Sequence, residues 1–234
     1  MFIEGSALKN SLLIASMIAA LASPAFAADA PEYPTLADVP APVVDNWSGF
    51  YAGVFGGYAV GTATTQTSLT QDIGVSGGML GATIGANAQF DSFVIGVEGD
   101  LAWSGIEGTE VCAINAIFNC AGSLDWLSTV RGRAGVAFDS VLLYATAGIA
   151  ISGVSATVTP VPLNATGEYS DTFIGWTAGF GGEIKLTDTI SARAEYAYTD
   201  LGHSTAPAGT LTTTGDSDLS GTLHSVKLGL NFAF

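Results

Sequence analysis

From Trp47 to Phe234 the charged side chains and the large apolar side chains fall on opposite parities of the chain, and this sorting limits the possible folds more than any motif does. In GGMLGATIGANAQF the even positions are Gly78, Leu80, Ala82, Ile84, Ala86, Ala88 and Phe90, while the odd ones are small or polar. A period of two is the signature of a β-strand, whose successive side chains point to opposite faces. In FVIGVEGDLAW one parity carries Phe93, Ile95, Val97, Leu101 and Trp103, and the other carries Glu98 and Asp100. The basic residues beyond the leader, Arg131, Arg133, Lys185, Arg193 and Lys227, all lie on the non-apolar parity of their segments, as do Glu183 and Glu195. A soluble sandwich would place mixed charges on its outer face. Here an apolar exterior around a charged interior explains the sorting, which is the arrangement of a barrel in lipid.

Hydropathy supports the same medium. Apolar residues make up 48% of the chain, charged residues only 12%, and there are 30 glycines. The one long apolar run, SLLIASMIAALASPAFA at 11–27, follows Lys9 and ends in Ala25-Phe26-Ala27, the layout of a secretory signal peptide cleaved after Ala27. Beyond it, no uninterrupted apolar stretch reaches the about 20 residues that a membrane helix needs. Residues 28–46 hold Pro31, Pro34, Pro40 and Pro42 without any period and are expected to form an extended periplasmic linker. Glu4 and Lys9 cancel, so removing the leader leaves the formal charge at -15, which argues against nucleic acid as a partner.

Eight alternating segments follow, at about 49–60, 78–90, 93–104, 125–138, 141–152, 172–186, 189–200 and 222–234. Their connections alternate between short (Asp91-Ser92, Asp139-Ser140, Thr187-Asp188) and long (about 61–77, 105–124, 153–171 and 201–221). The short turns recur every 48 residues, so the repeating unit is a hairpin with its loop. The expectation is an all-β, eight-stranded antiparallel transmembrane β-barrel over 47–234, with short periplasmic turns and long extracellular loops. An open edge in lipid would leave backbone groups unsatisfied, so the sheet must close.

Eight strands enclose a lumen just wide enough for side chains to fill. Counted from the short turns, Glu98 and Arg133 lie at one depth and Asp100 and Arg131 at another, so these pairs should meet across neighbouring strands. With Glu183, Lys185, Arg193, Glu195 and Lys227 they are expected to form a mid-barrel network of ion pairs. A narrow ion path through the same charges is the competing possibility. Paired carboxylates can serve acid and base catalysis, yet no nucleophile, histidine or metal set accompanies these, so no enzyme and no cofactor is expected. Cys112 and Cys120 are the whole cysteine complement, and in an exported chain a disulfide is expected between them. Neither His203 nor His224 shows ligand spacing with them. Trp47, Tyr51, Tyr58, Phe90, Trp103, Trp126, Phe138, Trp176, Tyr196, Tyr198, Phe232 and Phe234 fall near strand ends, as aromatic girdles would.

Three stretches, WSGFYAGVFGGY (47–58), RAEYAYTDLG (193–202) and HSVKLGLNFAF (224–234), resemble the small eight-stranded outer-membrane proteins of alphaproteobacteria. That family includes surface antigens of brucellae and hemin-binding proteins of bartonellae, and shares the transmembrane barrel of OmpA. The resemblance implies an outer-membrane location, contact with lipid and lipopolysaccharide, and a role in envelope integrity and as a surface antigen. It also implies a terminal signal for the outer-membrane barrel assembly machinery, here Val226, Leu228, Leu230, Phe232 and Phe234. With the chain ending at Phe234, the peptidoglycan-binding domain of OmpA is not expected. Two other functions stay open: a narrow porin for ions or small solutes, and a loop-mediated adhesin or hemin-binding protein contacting a host or small-molecule ligand.

Overall fold

A computed structural model describes residues 46–66, 70–112, 118–160, 167–207 and 216–234. The proposed signal peptide and nearly all of the linker lie outside these residues. The chain forms β1 (Gly49–Gln66), β2 (Thr70–Phe90), β3 (Phe93–Val111), β4 (Phe118–Phe138), β5 (Val141–Pro160), β6 (Gly167–Lys185), β7 (Ile190–Ala206) and β8 (Ser217–Ala233). Each pairs antiparallel with its neighbours, and β8 returns to β1, so the sheet is a closed barrel. Among the described residues no helix is long and apolar enough to cross a membrane. The barrel meets the backbone requirement of lipid without one, because its central strands have hydrogen-bonding partners on both sides.

Local chemistry sets the turns. Asp91 and Asp139 adopt φ of 54° and 49°, a left-handed conformation that aspartate tolerates better than most residues, and each opens a two-residue turn. The third short connection was expected at Thr187-Asp188 and is instead wider, Leu186–Thr189. Leu186 and Thr187 donate their amides to the Ile190 carbonyl, and the Thr187 hydroxyl accepts from the Ile190 amide at 3.0 Å. A β-branched residue resists positive φ, so Thr187 cannot take the place that aspartate fills in the other two turns.

The strands run well past their expected ends. Much of what the sequence suggested as loop is strand, forming a crown of paired β-structure beyond the apolar belt. Three of the expected ends fall where the ladder shifts register: between Trp103 and Ile106, between Leu124 and Trp126, and between Asp200 and His203. In β4 and β7 the extra residue flips the inward parity, from Leu127 to Leu124 and from Leu201 to Ala206, whereas β3 keeps its even positions inward from Ala102 to Ile106 and only its apolar residues change face. The alternation breaks there while the strand continues.

The two parities also exchange roles along the barrel. In the belt Val54, Leu80, Ile84, Val97, Val130, Ile149, Phe180 and Leu228 are exposed on the outer wall, while the inward positions carry every buried charge together with threonine, glycine, alanine and a few larger apolar residues. In the crown the apolar residues turn inward: Ile73, Val75, Ile106, Leu124, Phe173, Leu201, Leu219 and Leu223 pack with Phe55 and Met79 into one buried cluster. A smaller cluster, Trp47, Val94, Ala137, Leu142 and Tyr144, closes the short-turn end.

Candidate functional site: the charged lumen

Parity delivers the charged side chains to the lumen, and their depth brings most of them to one level. Glu98, Asp100, Arg131, Arg133, Glu183, Arg193, Glu195 and Lys227 are all buried, inside a wall whose outward residues are exposed. Arg131 is the centre. One of its terminal nitrogens lies 2.5 Å from Glu98 and 2.7 Å from Asp100, and the other lies 2.6 Å from Glu195. Arg193 reaches Glu98 at 2.6 Å, and Lys227 reaches Asp100 at 3.1 Å and Glu195 at 3.6 Å. Three carboxylates therefore face three cations drawn from β3, β4, β7 and β8. Tyr51 donates its hydroxyl to Glu98 at 2.8 Å and Tyr144 donates to Glu195 at 3.2 Å. Burial of this kind is sustained only when each charge has partners.

A second pair lies nearer the short-turn end. Arg133 bonds Glu183, whose other oxygen accepts from Ser191 at 2.5 Å and from Asn231 at 2.8 Å. The Arg133 guanidinium stacks 3.7 Å from the centroid of the Tyr144 ring. On the opposite side of the charged layer the Phe55 ring sits 5.6 Å from Arg193 and 5.1 Å from Lys227, dividing the ions from the apolar crown. Cavities of about 250 Å³ at the short-turn mouth and about 50 Å³ in the crown lie on either side of the layer.

Several sequence expectations need correction. The register sets Glu98 opposite Arg131 and Gly96 opposite Arg133, so Glu98 pairs with Arg131, not with Arg133. Counting depth from separate turns ignored the stagger that a closed barrel imposes on adjacent strands. Lys185 has the inward parity but is the last residue of β6, beyond the depth of the network. Its ammonium donates to the Asn46 carbonyl at 2.9 Å and lies 5.2 Å from the Trp47 ring. Tyr51 and Trp47 are buried and belong to no girdle, whereas Tyr58, Phe90, Trp103, Phe138, Trp176, Phe232 and Phe234 are exposed on the outer wall. Tyr51 was legible, since it lies on the opposite parity from Phe50, Val54 and Tyr58. Phe55 and Tyr144 likewise went unassigned, although their parity points inward.

Cys112 and Cys120 are joined by a disulfide near the tip of the β3–β4 hairpin. Val226, Leu228, Leu230, Phe232 and Phe234 form an exposed row on the outer wall, and the Phe234 amide donates to the Phe50 carbonyl at 3.0 Å. No group of histidine, cysteine and acidic residues suited to a metal ion occurs among the described residues.

Comparison with known proteins gives concordant results. Residues 13–234 match the model of the outer membrane protein beta-barrel domain. The 25 kDa outer-membrane immunogenic protein of Brucella abortus is 33% identical over 97% of this chain and 99% of its own length. The 31 kDa outer-membrane immunogenic protein of Brucella melitensis is 32% identical over 96% of this chain and 100% of its own. The 22 kDa outer membrane protein of Rhizobium leguminosarum is 34% identical over 70% of this chain and 68% of its own. Among solved structures, the outer membrane protein OprG of Pseudomonas aeruginosa aligns with a TM-score of 0.53 at 13% identity, covering 80% of this chain and 96% of that one.

Proposed function

The chain belongs to the outer membrane protein beta-barrel family and resides in the outer membrane, and on that premise we propose that it is a non-conducting structural barrel that supports the envelope and presents its crown as a surface antigen. The observation that carries this reading is the charged layer. Arg131 simultaneously engages Glu98, Asp100 and Glu195 at the centre of the lumen, with Arg193 and Lys227 completing the layer. A permeant ion would have to replace those contacts, and a desolvated cation with three partners is costly to separate from them. The same clamping argues against chemistry. Glu98 and Asp100 are buried and held by Arg131, Arg193 and Lys227, so neither is free to act as acid or base.

The outer wall supports contact with lipid and lipopolysaccharide, and the terminal row from Val226 to Phe234 suits recognition by the barrel assembly machinery. Any host or small-molecule ligand would meet the crown and the loop tips, which lie largely outside the described residues. Planar bilayer recording on refolded protein tests the reading. Silence or only rare, brief openings is the expected outcome, and a steady open channel would overturn it in favour of a pore.

A further inference from the structure

We propose that the mouth of the crown binds a small amine with an apolar tail, the ammonium resting on Asp171 and the tail entering the adjacent apolar cavity. Two independent features meet there. The first is the cavity of about 50 Å³, bounded by Ile73, Val75, Ile106, Phe173, Leu219 and Leu223 among others, with Thr65 and Ser155 also in its lining. A dry apolar void of about 150 Å³ takes a benzene ring, so one a third as large suits the end of an alkyl chain.

The second feature is the charge beside it. Asp171 sits on the inward parity of β6, two residues above Phe173, and its register partner is Val154, which also lines the cavity. Its carboxylate accepts from Ser204, from the Thr172 amide at 2.8 Å and from Tyr169 at 3.0 Å, and the Tyr169 ring packs against the apolar cluster. The Ser204 hydroxyl, the Thr172 amide and the Tyr169 hydroxyl together hold Asp171 below the usual aspartate range, so it is ionised above the membrane. A carboxylate can accept more hydrogen bonds than these three. The segments 61–77, 105–124, 153–171 and 201–221 contain Asp72, Glu107, Glu110, Glu168, Asp171, Asp216 and Asp218 and not one lysine or arginine. A cationic head is attracted to such a surface and an anionic head is repelled, while the cavity selects for an apolar tail. Because the charged layer closes the lumen beneath, this is a binding site and not a route; it needs no conduction to be detected.

The test compares three probes of equal chain length, n-hexylamine, n-hexanol and n-hexanoate, titrated into the full chain in lipid nanodiscs with labelled isoleucine, leucine and valine methyl groups. Saturable shifts at Ile106, Leu219 and Leu223 are expected with hexylamine, with hexanoate binding at least about tenfold more weakly. Asp171→Asn should weaken hexylamine about fivefold and leave hexanol unchanged, with heat-modifiable gel migration confirming that the variant is folded. Three results would each overturn the proposal: hexanoate binding as well as hexylamine, no effect of Asp171→Asn on the amine, or shifts that grow linearly and equally at the lipid-facing Val226 and Leu228, which report simple partition into the bilayer.

Discussion

Arg131 is the residue on which the lumen depends most. Replacing it with methionine keeps much of the volume but leaves Glu98, Asp100 and Glu195 short of a partner in a buried layer. We expect a loss of about 3–5 kcal/mol in urea unfolding from micelles, because an unpaired buried charge costs far more than the pair contributes. On the outer wall a single change tests sidedness. Val97→Arg should cost about 2–4 kcal/mol by the same measurement, since Val97 is 62% exposed to what is here lipid. In the crown Asp171 offers a pH test. Its folded pKa is depressed, so the stability from its hydrogen bonds is present above the ordinary aspartate range and is lost as pH falls through the lowered value. A carboxyl NMR titration should place its midpoint below that of free aspartate, and Ser204→Ala should raise the midpoint.

At the level of the strands, what could be read from sequence and what could not divide at the bulges. Eight strands, their order and the faces of Glu98, Asp100, Arg131 and Lys227 all follow from a period of two, which a belt in lipid enforces strictly. In β4 and β7 the upper ends did not follow because the extra residues near Asp125 and Gly202 interrupt the period without ending the ladder, and in the other strands because the apolar residues pass from the outward to the inward parity. Gly202 adopts φ of 79°, a backbone few other residues would accept at such a bulge. The partner of Arg133 was illegible for a different reason: Glu183 comes from a strand two removed, and contacts across a lumen depend on stagger, which no local pattern records. The upper β3–β4 hairpin carries its own test. Its disulfide closes a loop with a sequence separation of 8, so replacing Cys112 and Cys120 with serine should remove about 2–3 kcal/mol. Hydrogen exchange should rise in the crown part of β3 and β4 and stay slow in the belt, since the charged layer and the belt ladder are untouched.

Taken as a whole, the barrel is two β-structures in one sheet. In the belt it carries its apolar residues outside, and in the crown it carries them inside. Heat-modifiable migration should therefore be pronounced, with unboiled protein running apart from boiled; no shift between the two samples would contradict a closed barrel. The exchange of faces also fixes how deep the molecule rides. Were it to sink by one inward–outward repeat, roughly 5 Å along the membrane normal, the outward Asp72, Glu107 and Asp218 would approach hydrocarbon. Were it to rise by as much, the apolar row ending at Phe232 and Phe234 would be drawn up from the inner boundary and Tyr58 and Trp176 would be lifted from the outer one. The sequence thus sets a waterline, and a bilayer of another thickness must stretch or thin around the barrel instead of the barrel shifting to suit it.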